Sequence, residues 1–299
     1  MKYILSVDGG GIRGIIPAIL LSHIEKHFNK PTAKIFDLIA GTSTGGILAL
    51  ALNVKDKNGN PKYSATDLIR LYEEKGRLIF NKRFWKRGII DEIYSFNNID
   101  RVLNEYLGNN QFGNCLTKTV ITAYELESRQ NYEFKSWQNE HKNYLMKDLA
   151  RCTSAAPTFF EAKKLNNKSY IDGGVFANNP SFIAYDNAKS LFPNEQLTII
   201  SIGTGKATRP ISYEKAKSWG FLEWTKPIID ILFDSSMQEA QNRLANFVKR
   251  NNDNYYRFQT DLTLASDDMD KADKENIELL KMEANKLVIQ FMSSGLISL

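Results

Sequence analysis

The sequence predicts an α/β fold, a three-layer α/β/α sandwich in which helices cover both faces of a mainly parallel central sheet. Short apolar runs typical of buried strands alternate along the chain with longer segments of helical character. This alternation favours a parallel sheet, because parallel strands need a crossover connection, which is usually a helix. Glycine-rich turns also follow several of the apolar runs, and they place polar residues at the ends of strands.

The predicted elements follow one another without an evident break. Strands are predicted over residues 2–8, 35–40, 118–125, 168–172 and 197–203, and helices over residues 15–28, 45–53, 65–79, 98–107 and 145–152. Residues 130–135 are able to pair back onto 118–125 as a hairpin, which leaves a mixed sheet open. No linker, repeat or low-complexity stretch divides the 299 residues, so we expect a single domain over residues 1–299.

The turn after the second predicted strand carries a candidate nucleophile. It reads Gly41-Thr42-Ser43-Thr44-Gly45, a G-x-S-x-G pattern, and an apolar helix follows it. A strand, a sharp turn with serine and a helix form the context of a nucleophile elbow, which exposes the serine hydroxyl. The alternative is a tight glycine turn with a capping serine, which is common at helix starts. We take Ser43 as the candidate nucleophile.

A second glycine-rich turn, Asp8-Gly9-Gly10-Gly11-Ile12-Arg13-Gly14, follows the first predicted strand. Its glycines also fit the G-x-G-x-x-G pattern of dinucleotide folds. Against that reading, Asp8 would lie near a pyrophosphate, and the next strand has no acidic residue at its tip to hold a ribose. Consecutive glycines suit an oxyanion hole, because bare backbone can aim N–H groups at a tetrahedral intermediate. The candidate oxyanion-hole residues are Gly9, Gly10, Gly11, Arg13 and Gly14, with Arg13 as a loop clamp or a source of positive potential.

Asp172 is the candidate general base, because the three histidines are poorly placed for that role. It opens Asp172-Gly173-Gly174 at the end of a predicted strand, although Asp-Gly is also a common turn dipeptide. His23 and His27 lie two to three turns beyond the start of the first helix. His141 lies in a polar, loop-like stretch and remains the alternative base.

In these segments the chain resembles the patatin-like phospholipase family. The three motifs carry the resemblance together with residues 152–160, 175–180 and 197–205, in the order that the family has, over roughly the first two-thirds of the chain. Residues 267–270 add a weaker likeness to plant patatins. The resemblance implies a Ser43–Asp172 dyad without histidine, an oxyanion hole built largely from Gly10 and Gly11, and no cofactor. It also implies hydrolysis of acyl esters of phospholipids, lysophospholipids and sometimes neutral glycerolipids.

Lipid acyl hydrolysis is therefore the predicted function, with membrane phospholipid or another acyl lipid as the substrate. Three alternatives stay open: acyl transfer to an alcohol or lysolipid, a regulated lipase effector that needs an activator, and a non-catalytic lipid-binding protein. The presence of Ser43, Asp172 and the glycine loop together argues against a pure binder.

Charge and hydropathy limit the partners. The 39 basic and 34 acidic residues are dispersed, which does not favour nucleic acid. The longest apolar runs are shorter than the about 18 residues that a membrane span needs. One cluster mixes basic and aromatic side chains, as is typical of proteins that contact an anionic membrane surface, but it equally fits an ordinary solvated loop. It supplies the candidate membrane-docking residues Lys82, Arg83, Phe84, Trp85, Lys86 and Arg87.

No metal site is predicted. A calcium-binding EF-hand that started at Asp268 would need glycine at position 273 and glutamate at 279, where the chain has Asp273 and Leu279. We expect the acidic run to cap a helix that begins near Lys274. The two cysteines suit a reducing compartment, and the chain starts at once with a strand, so we expect no signal peptide and a cytoplasmic protein with peripheral membrane contact.

Overall fold

The computed structural model describes residues 1–81, 94 and 96–296, so the candidate docking residues Lys82–Arg87 lie outside the described part of the chain. The described strands form one sheet in the order β5-β6-β3-β2-β1-β7-β8, with β4 beside β3. These strands are β1 (Lys2–Val7), β2 (Leu38–Gly41), β3 (Lys118–Glu125), β4 (Gln130–Lys135), β5 (Lys163–Leu165), β6 (Lys168–Asp172), β7 (Leu197–Ile202) and β8 (Asn254–Phe258).

The centre of the sheet is parallel and one side is antiparallel. Strands β2, β1, β7 and β8 run parallel to one another, and β3 is parallel to β2. The predicted hairpin is confirmed, because β4 pairs antiparallel with β3, with Val120 opposite Lys135. Every residue of β2 and β7 is buried, as expected for parallel strands that helices cover on both faces.

Helices cover both faces of the sheet, which confirms the predicted three-layer fold. They are α1 (Ile15–Phe28), α2 (Thr32–Ile35), α3 (Thr44–Leu52), α4 (Ala65–Ile79), α5 (Phe96–Leu107), α6 (Met146–Thr153), α7 (Gly174–Ala177), α8 (Ser181–Leu191), α9 (Tyr213–Ala216), α10 (Phe221–Arg250) and α11 (Lys274–Ser293). Leu5 and Ile39 belong to a core cluster with α1, α3, α4 and α11, whereas Ile4 and Leu38 pack in a second cluster with α8 and α10. Neighbouring residues of one strand thus face opposite layers.

The largest boundary difference is at the second strand. The strand predicted over residues 35–40 begins only at Leu38, because α2 extends to Ile35 and residues 36–37 connect the two elements. This helical turn forms where Glu25 Oε1 accepts hydrogen bonds from the Thr32 amide (2.8 Å) and hydroxyl (2.7 Å). The expected cap near Lys274 is confirmed: Asp273 accepts a hydrogen bond from the Asn276 amide (2.9 Å) at the start of α11. None of the helices in the described part of the chain combines the length and the apolar composition of a membrane-spanning segment.

Candidate active site

Ser43 lies on the turn between β2 and α3, with φ 53° and ψ −123°. A positive φ is rare for a residue other than glycine, and a strained serine at this kind of turn is typical of a nucleophile elbow. The Ser43 amide donates a hydrogen bond to Thr153 Oγ1 (2.8 Å). A Cβ atom on Gly41 would collide with the Gly45 carbonyl, and one on Gly45 would collide with the Val7 carbonyl. The glycine spacing of the motif is therefore required for the turn to close.

The threonines on either side of Ser43 support the same turn. Thr42 Oγ1 lies 2.7 Å from the Ala177 carbonyl oxygen, to which it donates, and 2.7 Å from Thr122 Oγ1. Thr44 Oγ1 lies 2.6 Å from the Tyr72 hydroxyl. These buried bonds tie the turn to β3, α7 and α4, so the position of Ser43 depends on three other elements.

Asp172 lies at the carboxyl end of β6, fully buried. Its Oδ1 accepts a hydrogen bond from the Gly174 amide (2.7 Å), whereas Oδ2 has no hydrogen-bond partner among the described residues. Burial raises the pKa of Asp172 to about 7, and the neighbouring Ser43 hydroxyl and Gly174 amide only partly oppose the rise. The serine hydroxyl thus lies beside the carboxylate without closing a hydrogen bond to Oδ2; such bonds often tighten only when substrate is bound.

The predicted motif residues Gly173 and Gly174 make room around this carboxylate. A Cβ atom on Gly173 would collide with Thr122 of β3, and one on Gly174 would collide with the Phe233 ring of α10. The motif therefore packs the end of β6 tightly between the sheet and a helix.

The glycine loop after β1 faces the same place, and only part of it offers free donors. Gly11 lines one cavity together with Ser43 and Asp172. Within the described part of the chain, no hydrogen-bond acceptor is paired with the amides of Gly10 and Gly11. The Gly9 amide donates to the Asn178 carbonyl (3.0 Å) and is not available to an oxyanion. Gly9 therefore supplies no free amide here, and its part in the oxyanion hole stays a prediction.

Arg13 and Gly14 shape the loop instead of offering donors to the cavity. The buried Arg13 guanidinium donates to the Gly10 carbonyl (3.3 Å) and to the Asp267 carbonyl (3.1 Å), as a loop clamp does. A Cβ atom on Gly14 would collide with Thr44 Oγ1, so this glycine lets the loop pack against the elbow. Gly10 and Gly11 thus offer unpaired amides within the described residues, and the roles of all five predicted oxyanion-hole residues stay predictions.

A segment from the other end of the chain fixes the glycine loop. The Met269 carbonyl accepts a hydrogen bond from the Ile12 amide (2.9 Å). Gly11 has φ 59°, and a Cβ atom there would collide with the same carbonyl. The likeness of residues 267–270 to plant patatins was the only sequence signal for this contact.

Sequence reasoning missed Arg257 of β8. Its guanidinium makes a bidentate pair with the Asp8 carboxylate, with Nη1–Oδ1 2.9 Å and Nη2–Oδ2 2.5 Å, and also donates to Ser201 Oγ (2.8 Å). Burial raises the pKa of Asp8, and the charge of Arg257 opposes the rise. The two residues lie 249 positions apart, and no motif links them.

The alternative base, His141, does not line the cavity that holds Ser43. Its Nδ1 accepts a hydrogen bond from the Lys135 amide (3.0 Å), and its Nε2 lies 3.1 Å from the Tyr132 hydroxyl. Both ring nitrogens are therefore engaged on β4, and burial lowers the pKa of this histidine.

The cavity over Ser43 and Asp172 has mostly apolar walls. Aliphatic and aromatic side chains from four helices and from residues 159–160 surround the serine, and they include Ile47, Leu71, Ile79, Ile99, Phe159, Phe160 and Phe233. The two polar side chains of interest thus lie at the wall of an apolar space, where a hydrocarbon chain is favoured over water.

A serine on a strained strand–helix turn, beside a buried carboxylate and a glycine loop, defines an α/β protein with a nucleophile-elbow site. The sequence model of the patatin-like phospholipase family matches residues 5–185, and the chain belongs to this family. Patatin-like protein 4 of Arabidopsis thaliana is 32% identical, with 95% of this chain and 82% of the relative covered. Patatin group M-1 of Solanum tuberosum is 30% identical, with 94% and 82% covered.

A solved structure gives a more remote likeness. VipD from Legionella pneumophila is 12% identical, with a TM-score of 0.40 over 94% of this chain and 67% of that chain.

Proposed function

We propose that this chain is a lipid acyl hydrolase that cleaves fatty-acyl esters of phospholipids or lysophospholipids, with Ser43 as nucleophile and Asp172 as general base. The observation that carries the proposal is the buried Asp172 Oδ2, which has no partner among the described residues and lies beside a serine on a strained elbow. Membership in the patatin-like phospholipase family supports the lipid substrate. We further propose that residues 1–299 act as one catalytic domain, in a reducing compartment at a membrane surface.

In the first step, Ser43 Oγ attacks the acyl carbonyl carbon while its proton passes to Asp172. An aspartate with its ordinary pKa of 3.8 is too weak a base for this at neutral pH, but a pKa of about 7 matches the base to the working pH. Burial, with no cation beside it in the described part of the chain, thus gives this carboxylate the proton affinity that serine hydrolases usually obtain from histidine.

The negative charge that forms on the carbonyl oxygen needs donors that are already in place. The free amides of Gly10 and Gly11 meet this need, since they require no rearrangement before they donate. The positive end of α3, directly behind Ser43, adds to the stabilisation. One such donor is typically worth about 10²–10³ in kcat.

The second half of the reaction uses the same residues in reverse. Asp172 returns the proton to the departing alcohol, which leaves the acyl group esterified to Ser43 Oγ. Water then attacks this ester as Asp172 takes its proton, and the fatty acid leaves when Ser43 Oγ is protonated again. Ile47, Leu71 and the other apolar side chains of the cavity hold the acyl chain between the two steps.

The test is fatty-acid release from mixed phospholipid vesicles by the wild type, Ser43→Ala and Asp172→Asn. We expect each variant to lose at least about 10³-fold in activity, because nucleophile and base act as a unit. His141→Asn is the matched control, since it alters the alternative base, and it should keep its activity within about twofold. Circular dichroism and thermal melting check that every variant is folded.

Activity that survives in Asp172→Asn but not in His141→Asn would contradict the dyad and assign the base to His141. Product analysis with an added alcohol or lysolipid separates hydrolysis from acyl transfer. A new ester in place of free fatty acid would show that an alcohol replaces water in the second step.

A further inference from the structure

The N-terminal part of α10 exposes a row of large apolar side chains. Phe221 is 83% exposed, Trp224 36%, Ile228 47%, Ile231 41% and Leu232 43%. At 3.6 residues per turn, these positions fall within an arc of about 100° around the helix. We call these five side chains the α10 face.

The opposite side of the same helix is buried. Ile229, Phe233 and Met237 are 3–7% exposed, and Phe233 packs with Met269 in a small core cluster. This part of α10 therefore has apolar side chains on two sides, and the rest of the protein covers only the side that carries Phe233. A helix with apolar residues all round is normally buried, and a contiguous exposed apolar patch marks a surface that binds a partner or a membrane.

The segment before α10 carries the other marks of a membrane interface. Tyr213 is 76% exposed, and the Trp219 and Trp224 rings meet edge to face at 4.9 Å. Tyrosine and tryptophan are favoured at lipid headgroups, because each joins an apolar ring to a polar group. Residues 206–219 contain four basic side chains (Lys206, Arg209, Lys215 and Lys217) against one acidic side chain, Glu214; Lys217 pairs with Glu214 and Arg209 with Asp267, and the segment keeps a net positive charge. The charge complements an anionic surface.

The α10 face also borders the candidate active site. Ile231 and Trp219 line a second cavity, and two further residues of that cavity, Phe233 and Met269, also line the cavity that holds Ser43. The two cavities thus share the side chains of Phe233 and Met269 as walls.

We propose that the α10 face, with Tyr213 and the basic residues before it, docks on an anionic lipid bilayer and presents the active-site cavity to the membrane. The proposal rests on the proposed function, since it names the surface from which the lipid substrate is taken. A second copy of the chain is the less suitable occupant, because a two-fold contact would bring the same basic segment from both copies together. The docking face is distinct from the predicted cluster Lys82–Arg87.

The experiment measures cosedimentation of the full chain with two kinds of vesicle. One contains phosphatidylcholine alone, and the other contains phosphatidylcholine and phosphatidylglycerol at about 7:3. Phe221→Glu/Ile228→Glu should lower binding to the anionic vesicles at least about tenfold, since it places charge where apolar surface is to be buried. The matched control is Ile289→Glu/Met292→Glu on α11, where the side chains are 66% and 60% exposed. It adds the same charge and should bind like the wild type.

A second pair of variants tests the basic segment. Lys215→Gln/Lys217→Gln should lower binding to the anionic vesicles several-fold and leave the weak binding to phosphatidylcholine unchanged. Added salt should weaken wild-type binding in the same direction, because it screens exposed charges. All variants are also assayed on a short-chain, water-soluble ester. The loss in Phe221→Glu/Ile228→Glu should be at least about tenfold larger on vesicles than on this ester.

Equal vesicle binding by the wild type and Phe221→Glu/Ile228→Glu would overturn the proposal. So would a wild-type dimer in sedimentation velocity that this variant converts to a monomer with no change in vesicle binding, because the occupant would then be a second copy. Variant-sensitive vesicle binding by a chain that hydrolyses neither substrate would support the docking face and refute the proposed function.

Discussion

Two turns of this protein share the sequence Asp-Gly-Gly and treat their aspartates in opposite ways. Asp8, directly after β1, and Asp172, the last residue of β6, are both fully buried. Arg257 pairs with Asp8 through two hydrogen bonds, whereas Asp172 accepts one from a backbone amide and, among the described residues, has no cation beside it. The same local sequence therefore supports an ion pair in one turn and a carboxyl of high proton affinity in the other.

The difference shows that the partner, and not the motif, decides what a buried carboxylate does. A buried charge is tolerated when a paired group and hydrogen bonds replace its hydration. At Asp8 the Arg257 guanidinium supplies both the opposite charge and the hydrogen bonds and opposes the rise in pKa that burial causes, so the carboxylate serves the structure of the loop. At Asp172 this replacement is incomplete, and the carboxylate binds a proton near neutral pH. Three measurements test this difference between the two turns.

The largest effect on stability is expected for Arg257→Met. The change leaves the Asp8 carboxylate buried without its cation, and breaking a buried pair from one side typically costs about 3–5 kcal/mol. Urea denaturation at about pH 7.5 measures the loss in the free energy of unfolding. Asp8→Asn/Arg257→Met is the control and should recover part of it. A loss below about 1 kcal/mol would mean that Asp8 is not held as a charged partner.

Asp172→Asn should change the free energy of unfolding in the opposite direction and stabilise the fold. The folded protein holds the Asp172 proton up to a pH of about 7 and the unfolded chain releases it near 3.8, so wild-type stability falls as the pH rises through this window. The variant lacks this loss. We expect a gain on the order of 2–4 kcal/mol at pH values above about 7 and almost none near pH 4. A gain that does not change with pH would contradict the assigned proton affinity.

The smallest effect concerns the wild type alone. If Asp172 must be ionised to accept the Ser43 proton, kcat/KM should rise with pH up to about 7 and then level off. It should be about tenfold lower at a pH one unit below this midpoint than on the plateau. Hydrolysis of a water-soluble ester gives the profile without changes in the vesicles. A midpoint near the ordinary aspartate value would place the base in a solvated environment.

Local patterns were sufficient to predict most of the fold and the two central side chains. The bounds of α1 and α4 match their predicted ranges, because helical periodicity is a property of contiguous sequence. Ser43 and Asp172 could also be selected as candidates from the sequence, since glycines at fixed spacing around each are a steric requirement of the turn itself. The structure places both side chains in one cavity.

Features that depend on distant contacts could not be predicted. Strand β8, Asn254–Phe258, lacks a long apolar run and forms because it pairs in parallel with β7, which also brings Arg257 to Asp8. Which glycine amides are free depends on Asn178, whose carbonyl occupies the amide of Gly9. The sequence equally gave no indication that one side of α10 would remain uncovered.

The contact between the Met269 carbonyl and the glycine loop bears on where the working unit of this chain ends. Residues 5–185 match the family and include Ser43, Asp172 and Gly11. The shape of the loop around Gly11, however, is held by a carbonyl from residue 269 and by Arg13 on the carbonyl of Asp267. A fragment cut behind the matched region would keep Ser43 and Asp172 and lose the contacts that hold the proposed oxyanion donors in place. The unit proposed to act as the catalyst thus includes the C-terminal third of the chain.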